Sequence, residues 1–97
     1  MVTEIAKIDI REGALENFLA RLKIATGLLE KTSGYRSIEV RREVENTNYV
    51  YLFIGWDSLD SHLINFRQSP NFVEWRNLLK EFFLTDPTVV HVEEIPL

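Results

Sequence analysis

Residues 49–56 read Tyr-Val-Tyr-Leu-Phe-Ile-Gly-Trp, the most continuously apolar segment of the chain. It is rich in β-branched and aromatic residues and follows the turn-forming residues 45–48, Glu-Asn-Thr-Asn, so it predicts a β-strand. Side chains alternate between the two faces of a strand, and here apolar residues occupy both parities. Both faces of this strand therefore need an apolar partner.

The sequence on either side of this strand predicts the remaining elements. Alternating apolar and polar residues indicate strands, whereas apolar residues three or four apart indicate amphipathic helices. Gly34 follows the first helix as a left-handed cap, and Ser69-Pro70 predicts an N-cap hydroxyl with proline at the first helical position. The predicted elements are strands over 2–10, 35–44 and 88–95, a helix from 14 to about 31, and helices that begin at Asp57 or Ser58 and at 69–70.

This element order, βαββαβ, predicts a ferredoxin-like α+β fold with helices on one face of a four-stranded antiparallel sheet. Either the odd residues 49–53 or the even residues 50–54 then lie on the face without helices. The sequence does not fix which set faces which side. An uncovered apolar sheet face is typical of an interface, so we expect two copies to pack their sheets together as a homodimer.

Length, charge and composition exclude several classes of protein. The 97 residues predict a single domain over 1–97, with 45% hydrophobic residues and a net charge of −4. The acidic balance argues against nucleic-acid binding, and no apolar run reaches the roughly 18 residues of a membrane-spanning helix. The absence of cysteine excludes disulfides and zinc–thiolate sites. With no secretory signal visible, we expect a cytoplasmic protein that does not bind membranes.

Residues 55–62 (Gly-Trp-Asp-Ser-Leu-Asp-Ser-His) and 66–72 (Phe-Arg-Gln-Ser-Pro-Asn-Phe), followed by Trp75, resemble the antibiotic biosynthesis monooxygenase family. The resemblance is specific over 55–75 and follows element order elsewhere. It implies a dimeric α+β barrel with a pocket between sheet and helices in each subunit. Some members oxygenate electron-rich aromatic or quinol-type compounds with molecular oxygen and no metal or flavin, and one branch degrades haem.

His62 is the candidate catalytic residue. It follows Leu59 by three residues and precedes Phe66 by four, so it lies on the apolar side of its helix. An inward histidine could accept a proton or orient a phenol or quinol oxygen as a hydrogen-bond donor, although it could also be a core histidine with a backbone partner. Trp56, Phe66 and Trp75 are the candidate substrate-binding walls, although aromatic residues at helical and strand spacing are more often core residues.

Tyr51 is a further candidate substrate-binding residue if its parity faces the helices, and otherwise lies in the dimer interface. His91 has a possible interface or pocket role, but a half-exposed strand position fits it better. Arg67 could bind a substrate carboxylate or could be a solvated helix residue. No histidine or carboxylate pair has metal-ligand spacing, so we expect no metal and no cofactor.

The haem-degrading branch uses an asparagine, a tryptophan and a haem-ligating histidine. Segment matching places Glu4 (or Ile5), Phe66 and Trp75 at those three positions. An indole nitrogen only donates hydrogen bonds, so Trp75 cannot bind iron and the haem function is disfavoured.

The leading hypothesis is a cofactor-independent monooxygenase acting on a small aromatic or quinol-type compound. The alternative is a non-catalytic small-molecule-binding or structural dimer on the same fold. The cavity volume separates the enzyme and the small-molecule binder, which both need about 300 Å³ or more, from a purely structural dimer, in which Trp56, Phe66 and Trp75 fill the space.

Overall fold

The computed structural model describes all 97 residues. Four strands and two α-helices follow the predicted order, with a π-helix before the second α-helix and a 3₁₀ turn after it. None of the helices is both long and apolar enough to cross a lipid bilayer. The elements are β1 (Val2–Asp9), α1 (Leu15–Glu30), β2 (Tyr35–Arg42), β3 (Tyr49–Trp56), the π-helix (Ser61–Phe66), α2 (Pro70–Leu79), the 3₁₀ turn (Lys80–Phe82) and β4 (Thr88–Val92).

The four strands form one antiparallel sheet in the order β2-β3-β1-β4, with the helices on one face. This is the ferredoxin-like α+β fold that the sequence predicts, and the prediction is confirmed. The two central strands are β1 and β3, whose pairing runs the full length of both strands. The apolar residues of β3 therefore lie at the middle of the sheet, where burial is greatest.

The two faces of β3 are now assigned. Val50, Leu52, Ile54 and Trp56 face the helices and are buried, whereas residues 49, 51 and 53 are half-buried on the opposite face. On that opposite face, which we call the outer sheet face, the neighbouring strands add Ile5 and the exposed valines 90 and 92. Apolar side chains thus remain uncovered on the outer sheet face of one chain.

Three strand ends fall short of the predicted limits. β1 ends at Asp9, and the next residue, Ile10, makes an isolated bridge to Phe83 and donates a backbone hydrogen bond to Asn48. β2 ends at Arg42 because the chain then enters the turn into β3. β4 ends at Val92, which pairs with Thr3 close to the start of β1, so few partner residues remain beyond it.

The segment between β3 and α2 begins with the predicted serine cap, since Ser58 Oγ accepts the Ser61 N–H at 3.2 Å. The predicted hydroxyl cap at Ser69 is wrong. Its hydroxyl instead donates to the Phe66 carbonyl at 2.7 Å, and proline follows at the first helical position as expected. None of the N–H groups in the first turn of α2 donates to this hydroxyl.

Gly34 has the left-handed conformation that the sequence predicts, with φ of +93°. A Cβ at this position would also collide with the side chain of Ser61. The glycine therefore allows the loop before β2 to pass directly against the first residue of the π-helix. This contact fixes the helical segment that carries the candidate site.

Candidate active site

A cavity of about 130 Å³ lies between the sheet and the segment from the π-helix to α2. Ten of its fifteen lining residues are hydrophobic, and the polar ones include a carboxylate and a histidine from different elements. The lining from the sheet is Glu4, Ala6, Ile8, Leu52, Ile54 and Val89; the helical side contributes His62, Phe66, Arg67, Phe72, Trp75, Arg76 and Leu79; and Phe83 and Pro87 complete it. The cavity is thus an apolar pocket with a few polar groups.

Glu4 is the unexpected member of this lining. Alternation along β1 places it on the helix-facing side with Ala6 and Ile8, and only 6% of its surface is exposed. Its Oε1 atom accepts a hydrogen bond from Trp56 Nε1 at 3.1 Å, and His62 Nε2 lies 3.3 Å from the same oxygen. Both of these contacts are made by Oε1, and no hydrogen bond from the chain reaches Oε2.

His62 joins Glu4 to a second histidine. It is 2% exposed, its Nε2 faces Glu4, and its Nδ1 lies 2.7 Å from His91 Nε2. In the contact between the two histidines one ring nitrogen donates and the other accepts, and the tautomers determine which ring is the donor. His91 reaches this position because it is the cross-strand partner of Glu4, on the same face of the sheet.

Burial shifts the pKa values of all three groups. It raises the pKa of Glu4 from 4.5 to about 7, although the Trp56 hydrogen bond and the positive charge of Arg67 oppose the shift. Burial, together with His91 and Arg67, lowers the pKa of His62 from 6.5 to about 4. The pKa of His91 is also lowered, mainly by burial and to a smaller extent by the positive charge of Arg67. Near neutral pH, Glu4 is therefore close to its midpoint and His62 is uncharged.

The π-helix explains how His62 reaches this position. The Arg67 N–H bonds to the His62 carbonyl at 2.9 Å, five residues back instead of four. Such turns are rare and frequently occur at functional sites. The wider turn places His62 and Phe66 together on the buried side, where their rings lie 6.3 Å apart.

Of the three aromatic residues predicted to form the substrate-binding walls, two line the cavity and one does not. Phe66 and Trp75 line the cavity and meet edge to face, with ring centroids 5.8 Å apart. Trp56 is fully buried and does not line the cavity; its ring stacks on His62 at 5.2 Å. The expectation that Trp56 forms a substrate wall is therefore corrected, because Trp56 lies behind the polar pair and supports it.

The predicted pocket position of Tyr51 is also corrected. Tyr51 lies on the outer sheet face, because its odd parity places it opposite Leu52 and Ile54. Its ring stacks with Phe53 at 6.4 Å, and the Lys7 ammonium lies 5.9 Å from its centre. Tyr51 therefore has no access to the cavity on the helix-facing side.

Glu4 and His91 are the polar residues that the sequence interpretation undervalued. Glu4 is the one carboxylate on the apolar parity of β1, which is a detectable signal for a buried charge. The role of His91 depends on strand pairing, which its own sequence neighbourhood does not reveal. Arg67 lines the cavity and is exposed to solvent, and its binding of a substrate carboxylate stays a prediction.

The polar groups do not form a ligand set for one metal ion. His62 presents its two nitrogens in opposite directions, to Glu4 and to His91, so the three side chains do not converge on one point. No other group of three or more histidine and carboxylate side chains is arranged to hold an ion. What the arrangement offers is a buried carboxylate, Glu4, next to a pair of histidines that are hydrogen-bonded to each other.

Comparison with known proteins identifies the relatives of this chain. Residues 1–78 match the model of the family described as antibiotic biosynthesis monooxygenase. The uncharacterised protein YczJ of Bacillus subtilis is 30% identical over 95 residues, which cover 98% of this chain and all of that protein.

Two solved structures show the same architecture. A Bordetella bronchiseptica protein assigned to antibiotic biosynthesis monooxygenases superposes with a TM-score of 0.94 at 32% identity, covering 98% of this chain and 97% of that one. SnoaB of Streptomyces nogalater, described as a cofactor-independent oxygenase, superposes with a TM-score of 0.82. SnoaB is 14% identical, with 99% of this chain and 94% of that one covered, and this likeness concerns the fold alone.

Proposed function

The chain belongs to the antibiotic biosynthesis monooxygenase family, and we propose that it oxidises a single-ring phenol or quinol-type compound with molecular oxygen and without a cofactor. The observation that carries this proposal is a buried carboxylate with one free oxygen in an aromatic-walled cavity. In a cofactor-free oxygenation the substrate supplies the electrons, so the protein must remove a proton, orient the resulting anion and exclude water.

Glu4 is the proton acceptor in this mechanism. General bases work best with a pKa near the operating pH, and burial brings the pKa of Glu4 to about 7. His62 is a weaker base because its pKa is about 4. Both ring nitrogens of His62 face protein groups, Nε2 towards Glu4 and Nδ1 towards His91, so we assign it the role of positioning the Glu4 carboxylate in place of a direct contact with substrate.

The reaction balances for a hydroquinone. Glu4 takes the proton of one hydroxyl, and the electron-rich phenolate transfers an electron to oxygen. Recombination at a ring carbon and loss of water then give a hydroxyquinone, so one oxygen atom enters the ring and the other leaves as water. The four electrons that reduce molecular oxygen in this reaction all come from the substrate. The proton held by Glu4 returns to the departing oxygen, which leaves the carboxylate ready for the next turnover.

The cavity volume limits the size of the substrate. At about 130 Å³ it is below the expected 300 Å³, but the predicted aromatic walls do not fill it. An apolar cavity of about 150 Å³ in another protein holds benzene. The volume therefore favours one aromatic ring over a three-ring anthrone.

Oxygen uptake with methyl- and methoxy-hydroquinones tests this proposal, with Glu4→Gln, His62→Gln and the exposed control Glu74→Gln as variants. We expect the Glu4 variant to lose roughly 10²–10⁴-fold in kcat, which is the usual contribution of a general base, and the control to match wild type. Equal uptake by wild type and Glu4→Gln would exclude the catalytic role. Background rates for all chains, with no ligand binding, would favour the alternative of a non-catalytic or structural dimer.

The outer sheet face supports a homodimer. Val90 and Val92, 56% and 45% exposed, continue the half-buried apolar surface of β3 and β1, and packing two such faces removes them from water. A dimer would bury Tyr51 and Phe53 in its interface. The cytoplasmic location remains a prediction from the sequence.

A further inference from the structure

Arg67 is a cavity residue whose charge is not balanced within the chain. It makes no ion pair or hydrogen bond through its guanidinium, although it lines the cavity. The other cavity arginine, Arg76, is paired with Asp86 at 3.3 Å. A free guanidinium at the rim of an apolar pocket is available to bind an anion from solution.

The position of Arg67 is set by the aromatic wall. Its guanidinium carbon lies 4.8 Å from the centre of the Phe72 ring, which also lines the cavity, and this stacking holds the charge against the pocket. The charge also acts on the polar end of the cavity, where it lowers the pKa values of Glu4, His62 and His91. The Arg67 charge and the Glu4 carboxylate therefore line the same cavity.

We infer that the cavity binds a single aromatic ring carrying both a phenolic hydroxyl and a carboxylate, with the hydroxyl at Glu4 Oε2 and the carboxylate at Arg67. This inference rests on the proposed function and names its substrate class. The ring contacts Phe66 and Trp75, which supply the apolar walls. A planar guanidinium forms two parallel hydrogen bonds with a carboxylate, so Arg67 would select the acid over a neutral compound of the same size.

Titration calorimetry with 3- and 4-hydroxybenzoate, compared with the two matching hydroxybenzamides, tests this inference. The amides keep the ring, the hydroxyl and the size but lack the charge. We expect at least one acid to bind wild type roughly tenfold or more tightly than its amide, as for a charge-assisted hydrogen-bonded pair. Arg67→Gln should abolish this preference and Arg67→Lys should retain part of it. Arg42→Gln removes an exposed charge at the end of β2 and should leave the preference unchanged.

Three results would overturn the inference: equal affinity for acids and amides, an unchanged preference in Arg67→Gln, or no binding of any of the four compounds. Oxygen uptake with neutral hydroquinones separates these results from the proposed function. Glu4-dependent turnover of a neutral quinol without acid preference would remove only the role of Arg67. Loss of both binding and turnover would remove the two proposals together.

Discussion

Replacing Glu4 by glutamine is expected to stabilise the fold at alkaline pH, because the wild-type chain must then hold a negative charge inside an apolar cavity. Burial raises the pKa of Glu4 from 4.5 to about 7. One pKa unit corresponds to about 1.4 kcal/mol, so ionising Glu4 in the folded chain costs on the order of 3 kcal/mol more than in the unfolded chain. Glutamine has nearly the same shape and can still accept the Trp56 N–H.

The direction of the change in stability with pH follows from how tightly the folded and unfolded chains bind the Glu4 proton. Folded wild-type protein holds the Glu4 proton more tightly than the unfolded chain does, so its free energy of unfolding falls as the pH rises from about 4.5 to about 7. The lowered pKa of His62 gives the opposite trend, a loss of stability as the pH falls from 6.5 towards 4. His62 is present in both chains, so to first order its contribution cancels in the difference. The variant's stability relative to wild type should therefore rise by on the order of 3 kcal/mol between pH 4.5 and pH 8.

Urea denaturation followed by tryptophan fluorescence measures this difference at fixed protein concentration, since dimerisation would make stability concentration-dependent. Glu74→Gln, at an exposed position of α2, is the matched control and should show no such trend. A difference between Glu4→Gln and wild type that stays flat across this pH range would refute the argument that burial controls the ionisation of Glu4. It would also remove the basis for choosing Glu4 over His62 as the proton acceptor.

Three further substitutions test the support of the site, the cavity and the outer sheet face. Gly34→Ala should lower the free energy of unfolding, measured by urea denaturation, by at least about 1–2 kcal/mol because of the positive φ and the collision with Ser61. The control Gly27→Ala, which has open space around it in α1, should leave the free energy of unfolding unchanged or raise it by up to about 1 kcal/mol. Trp75→Phe should enlarge the cavity and raise turnover of a two-ring naphthol relative to a one-ring phenol roughly tenfold, and an unchanged ratio would contradict the size argument. Phe53→Glu should convert a dimer into a folded chain of 11.4 kDa by light scattering, and a wild-type mass already at 11.4 kDa would exclude the dimer.

The periodic spacing of apolar residues predicts most of the secondary-structure elements. The eight residues of β3 were predicted with their observed limits, and Gly34 was placed correctly at a left-handed position. These features depend on side-chain alternation and on local backbone sterics, which neighbouring residues in the sequence determine. The strand ends were less accurate because they depend on where a partner strand runs out, as at Val92.

The element order, the uncovered sheet face and the inward direction of His62 could all be predicted, because each follows from the spacing of residues within one segment. Folding was needed to show that Glu4 and His91 meet His62, that Trp56 lies behind this pair, and that Tyr51 faces away. These facts depend on which strands pair and on which parity of a strand faces the helices. The shifted pKa of Glu4 has the same origin, because desolvation comes from side chains that are distant along the chain and close only after folding.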